Sequence, residues 1–157
     1  MKKVLESKVK IRFPDCDPFN HLNNSRYLDY MINAREDQLA MHYDFDVYQM
    51  AKETGLSWVV AQNQIAYLFP AFLMEEVIIE TQLFQVSEKA LMIEAKMWDN
   101  KKEILKTVLW TKLVHYDLKT NRSAVHSEEL MTFFGQIVKP LEKELSFEER
   151  LEEIRKK

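Results

Sequence analysis

Glycine is nearly absent: Gly55 and Gly135 are the two in 157 residues, which excludes a glycine-rich phosphate loop. Cys16 is the single cysteine, so no intramolecular disulfide framework exists. No apolar run approaches the length of a bilayer span, so no membrane insertion is expected. The opening Met1-Lys-Lys-Val-Leu-Glu-Ser-Lys meets charge before an apolar leader forms, which makes the cytoplasm the expected location. A basic excess is missing too. Against 22 Lys and Arg stand 25 Asp and Glu, a net charge of −3, the reverse of the field a nucleic-acid binder carries, so no nucleic-acid partner is expected. His21, His42, His115 and His126 show no tight ligand spacing, so no metal is expected. What remains is soluble globular material, 46% hydrophobic and 30% charged, long enough for one sizeable core.

The hydrophobic pattern orders the elements. Residues 4–13 read as a strand with Val9, Ile11 and Phe13 on one face, ended by Pro14 and Pro18. A helix is predicted from about Asn23 to His42, opened by the cap-forming Asn23, Asn24 and Ser25 and apolar at Tyr27, Leu28, Tyr30, Met31, Ile32 and Ala34. A short helix over 46–54 stops at Gly55. Four strands follow: 58–69, with Val59, Ala61, Ile65, Tyr67 and Phe69 on one face, then 77–86, 90–98 and 104–116. The last is apolar on both faces, which calls for a helix or a second chain to cover it. A helix over 127–134 comes next. The order of strand, buried helix and antiparallel strands gives an α+β fold with a curved sheet around one helix. Residues 1–139 read as one domain. Residues 140–157 read as a charged tail, a solvated helix with Ser146 and Glu149 as a capping box.

The densest chemistry lies in Asp15-Cys-Asp17-Pro-Phe-Asn20-His21-Leu-Asn-Asn24-Ser-Arg-Tyr27, where carboxylates, an imidazole and amides sit between a strand and a helix start. A helix start presents free N–H groups and a positive dipole end, suited to a developing oxyanion. The backbone N–H of Asn24 is the candidate donor. Cys16 is a poor nucleophile, because carboxylates on both sides raise its pKa. Asp15 is a loop acid or a partner for Arg12.

This stretch, from Arg12 through Tyr30, resembles the signature of hotdog-fold thioesterases. It is most similar to the hydroxybenzoyl-CoA and acyl-CoA group, with some similarity to acyl-ACP thioesterases. Tyr67-Leu-Phe-Pro70-Ala and the Asp117…Arg122 turn look like further family positions. Asn20 stands where that signature has glycine, and Met74-Glu75 where it has glycine-aspartate. The resemblance implies a hotdog fold of five or six strands and hydrolysis of an acyl-CoA or acyl-ACP thioester. CoA or the carrier protein enters as part of the substrate, with no cofactor. It implies Asp17 as the catalytic carboxylate, attacking the thioester carbonyl or activating water. His21 and Asn24 join it in the site. A homodimer or homotetramer is implied, with active sites at the shared interface completed by the partner's 58–69 strand.

Trp58 and Tyr67 are the substrate-binding candidates among the aromatic and methionine residues Trp58, Tyr67, Phe69, Phe72, Met92 and Trp110, which also serve as ordinary core. Lys89, Lys101, Lys102 and Arg122 could meet CoA phosphates, but turn lysines are usually just solvated, and none is named as a binding residue. The rival reading is a non-catalytic acyl-thioester sensing module on the same fold, which would not need Asp17. A hotdog hydratase would want a different pairing of acid and histidine.

Overall fold

Val4–Lys10 forms the first strand, β1, with Leu5, Ser7 and Val9 less exposed than Glu6, Lys8 and Lys10. The computed structural model describes residues 1–156. Beyond β1, Phe13–Asp15 forms a 3-10 turn with Pro14 in its first turn. Asn24–Arg26 forms another and runs directly into helix α1, Tyr27–Tyr43. Asn23 caps this start, its side-chain oxygen accepting the Ser25 N–H at 3.0 Å. Helix α2, Val47–Thr54, is capped by Asp46 and stopped by Gly55 at φ 74°, a backbone state that glycine adopts without strain.

The strands β2 (Leu56–Tyr67), β3 (Glu76–Val86), β4 (Ala90–Asp99) and β5 (Leu105–Asp117) follow, with a two-residue β6 (Arg122–Ser123). Helices α3 (Glu128–Ile137) and α4 (Phe147–Lys156) complete the described chain. The sheet runs β1-β3-β4-β5-β2 with antiparallel pairing, and β6 pairs with β5. Register shifts at Val60/Gln62, Leu83/Gln85 and Met97/Trp98 mark bulges, which bend strands and deepen their twist. The result is a curled antiparallel sheet holding a helix, the α+β hotdog fold.

Both faces of the sheet are covered. On the inner face Ile79, Ala95, Met97 and Leu109 pack against Tyr27, Met31 and Ala34 of α1. Farther along the same face Leu83, Leu91 and Ile93 meet Leu130, Phe134 and Ile137 of α3. On the outer face Phe84, Val108 and Trp110 receive Phe147, Leu151 and Ile154 of α4. The solvated terminal helix read from the charge run is therefore corrected. Alpha4 is docked, because its apolar positions fall on one side and Arg150 reaches the buried Glu94, donating from Nε and Nη2 at 2.8 Å each. The capping box does form, with Ser146 N–H on Glu149 at 2.9 Å and Glu149 N–H on Ser146 Oγ at 3.1 Å. The cover demanded by the two-sided β5 is α4. No helix among the described residues is long and apolar enough to cross a membrane.

Candidate active site

The loop between β1 and α1 is pinned at several points. Cys16 bridges to Leu22, and His21 bridges to Phe72. The Asp17 N–H donates to the His21 carbonyl at 2.8 Å, and the Asn20 N–H to the Asp17 carbonyl at 3.1 Å. Asn20 sits at φ 63°, in the left-handed region that asparagine tolerates better than most residues. The turn thus keeps its shape without the glycine. Met74 also lies there, at φ 66°, a position that costs a non-glycine residue about 1 kcal/mol.

Inside this turn Asp17 is held by one oxygen. Its Oδ1 accepts the Phe19 N–H at 2.8 Å and the His21 N–H at 3.1 Å. Its Oδ2 makes no hydrogen bond among the described residues and is left for another partner. The Asn24 N–H is likewise unengaged, being the first amide of the helix start. The Asn24 carbonyl accepts from the Tyr67 hydroxyl at 2.9 Å. The His21 ring packs edge-on against Phe72, centroids 5.3 Å apart. Asp17, His21 and Asn24 line one open cleft of about 500 Å³, walled by Tyr27, Tyr67, Phe69 and Pro70.

The other expected residues lie elsewhere. Trp58 lines a second cavity, between α1, α2, α3 and the sheet, and donates its Nε1–H to His126 Nε2 at 3.0 Å. Met92 and Trp110 sit under α4 on the outer face. They are core there and line neither cavity, because their alternation points them away from α1. Lys102 is committed to Glu6 and Glu80. Asp15 accepts from the Tyr30 hydroxyl rather than pairing with Arg12. The Cys16 thiol is pushed up by burial and then by Asp17 and Asp15, so it stays protonated and poorly nucleophilic.

Two residues not proposed as site residues from the sequence shape the cleft. The Tyr27 hydroxyl accepts the Ala71 N–H at 3.1 Å, and its ring meets Tyr67 edge-on. Lys106 is 1% exposed. Its Nζ donates to the Pro70 carbonyl at 2.7 Å and to Glu75 at 2.9 Å, and lies over the rings of Phe69 and Phe72. It braces the 68–75 loop that forms one wall. The available signal was a lysine inside the largely apolar Leu105–Trp110 run.

The chain is similar to known proteins in sequence and fold. Residues 11–134 match the family model of the Thioesterase-like superfamily. The chain is 29% identical over 136 residues to the long-chain acyl-CoA thioesterase FadM of Escherichia coli strain K12, covering 86% of this chain and 100% of that protein. The structure of YbaW, a probable thioesterase from Escherichia coli, superposes with a TM-score of 0.72 at 28% identity, covering 85% of this chain and 98% of that one. A DHNA-CoA thioesterase from Staphylococcus aureus shares the fold at a TM-score of 0.78 and 18% identity, over 85% and 90% of the two chains. The chain is a hotdog-fold thioesterase and belongs to the Thioesterase-like superfamily.

Proposed function

We propose that the cleft between Asp17 and the start of α1 hydrolyses acyl-CoA thioesters to a free acid and CoA. The observation that carries this reading is the half-tethered Asp17. Two backbone N–H groups fix Oδ1, while Oδ2 stays free in a cleft that also holds the unengaged Asn24 N–H. The thioester carbonyl oxygen sits on that N–H, where the helix start stabilises negative charge as the tetrahedral intermediate forms. Asp17 supplies the attacking oxygen: its own, forming a mixed anhydride that water then hydrolyses to the free acid and Asp17, or that of a water whose proton it accepts. The thiolate leaves readily, since an ordinary thiol has a pKa of about 8.5, and takes up the proton. No cofactor enters beyond the CoA of the substrate. His21 shapes the turn through its backbone and borders the substrate with its ring.

Support for acyl-CoA comes from FadM, whose name specifies that substrate. A homodimer through β2 is part of the proposal. Among the described residues β2 pairs only with β5, and it carries exposed Val59 and Val60, an edge of the kind that is normally covered. The partner's strand then closes the cleft.

Free-thiol release from acyl-CoA and acyl-carrier-protein panels by wild type and Asp17→Asn tests the reading. The variant is expected to lose turnover while keeping its Tm. Full activity in the folded variant overturns the role of Asp17. Single turnover in heavy-oxygen water separates the two routes: water attack puts the label in the acid product, whereas direct attack followed by hydrolysis at the Asp17 carbonyl carbon puts it on Asp17.

A further inference from the structure

The second cavity holds about 280 Å³ and is lined mostly by apolar side chains. Arg35, on α1, lines it and is 8% exposed. Its guanidinium has no carboxylate within ion-pair distance among the described residues. Nη1 donates to the neutral Thr81 hydroxyl at 2.8 Å, and Nε has no partner. The Thr81 hydroxyl is itself committed to Gln38. Glu36 is the one acid among the lining residues, and its carboxylate accepts from the Tyr48 hydroxyl at 2.8 Å rather than meeting Arg35. Burial pushes the Arg35 guanidinium down to about 10, so it remains a cation at neutral pH. Thr111, 5% exposed, adds a second unpartnered polar atom, its Oγ1, to the same lining. Buried cations are normally paired, because an unpaired one is costly. A methionine at position 35 would fill the space without that cost.

The cavity lies farther along α1 than the cleft, and the two share no lining residue. Tyr27 walls the cleft, while Met31 and Arg35 line the cavity. These residues are four apart and lie on one stripe of α1. At 1.5 Å per residue, Arg35 lies about 16 Å along the helix from Asn24. To reach the guanidinium, an acyl chain that starts on the Asn24 N–H would have to pass between α1 and the sheet, displacing the packing of the buried Tyr27 and Met31.

We propose that this cavity selects acyl thioesters whose far end carries a carboxylate, the mono-CoA esters of α,ω-dicarboxylic acids, with Arg35 as the counterion and specificity determinant. The proposal rests on the hydrolase reading for its reaction and on Arg35 alone for its selectivity.

The test compares kcat/KM for ω-carboxyacyl-CoA and unsubstituted acyl-CoA of matched length, in wild type, Arg35→Lys and Arg35→Met. Wild type is expected to favour the ω-carboxy substrate. Arg35→Met is expected to shift the ratio of the two by about tenfold or more against it, mainly through KM, the size of a lost charge-assisted hydrogen bond. Arg35→Lys is expected to restore part of the ratio. A general packing role would lower both rates together and leave the ratio unchanged, which overturns the proposal. Wild type that prefers the unsubstituted chain also overturns it, whatever the variants do. The free dicarboxylate serves as a probe independent of turnover. It is expected to raise the wild-type Tm more than the matching monocarboxylate does. If no thioester is hydrolysed but that difference appears and vanishes in Arg35→Met, the cavity proposal stands and the hydrolase reading falls.

Discussion

Replacing Arg150 by leucine tests how firmly α4 is held. Glu94 is 1% exposed and accepts two hydrogen bonds from Arg150 at 2.8 Å and one from the Trp110 indole at 2.9 Å. Removing one partner of a buried pair costs about 3–5 kcal/mol. Here Lys96 stays 3.6 Å from Glu94, and the leucine keeps part of the apolar contact. A loss of about 2–3 kcal/mol is therefore expected. At about 2–4 °C per kcal/mol for a domain of this size, Tm should fall by roughly 4–12 °C. Calorimetry on wild type, Arg150→Leu, Glu94→Gln and the double variant gives the coupling between the two residues. The pH dependence supplies a second check. Burial pushes the Glu94 carboxyl up, but hydrogen bonds from Arg150 and Trp110 outweigh it and hold it below the usual range. A depressed folded pKa means the stability is complete above the unfolded value, about 4.3, and is lost as pH falls through the folded one. The Arg150→Leu deficit should thus shrink in acid. A Tm within about 1 °C of wild type at neutral pH, or zero coupling, refutes the reasoning.

Lys106→Met removes the bonds to Pro70 and Glu75. It should lower stability by about 1–3 kcal/mol and raise KM as the 68–75 wall loosens, seen in thermal melts and steady-state kinetics. His115 and His126 are each held down chiefly by burial. A depressed histidine costs stability as pH falls below its unfolded value, about 6.5, by up to about 1.4 kcal/mol per pH unit for each. Melts between neutral and mildly acid pH should show that slope, and it should lessen in His115→Phe.

The motif residues were legible because the sequence keeps them together. Asp17, His21 and Asn24 lie within one turn, so recognising the turn places all three on the same cleft. Trp58 and Tyr67 share β2, yet nine strand residues span about 30 Å, and the two line different cavities. Alternation along β2 failed at its middle. The register shift between Val60 and Gln62 leaves Val59 and Ala61 exposed while Ile65 packs on the core, and a bulge of this kind has no residue signature. Docking of α4 was hidden by composition. Its ten residues, Phe147–Lys156, carry mostly charge, and the one guanidinium that matters is defined by Glu94, more than fifty positions earlier. Arg35 was passed over for a related reason, since an arginine on a helix is ordinarily solvated.

Alpha4 also limits how copies of this chain can assemble. It lies beyond residues 11–134, the part shared with the family, and occupies the outer face over Phe84, Val108 and Trp110. Stacking a second sheet on that area would require α4 to leave, stripping Glu94 of its guanidinium. Pairing along a sheet edge, as proposed for β2, would leave α4 in place, so the terminal helix is compatible with growth in the plane of the sheet and opposed to growth in layers.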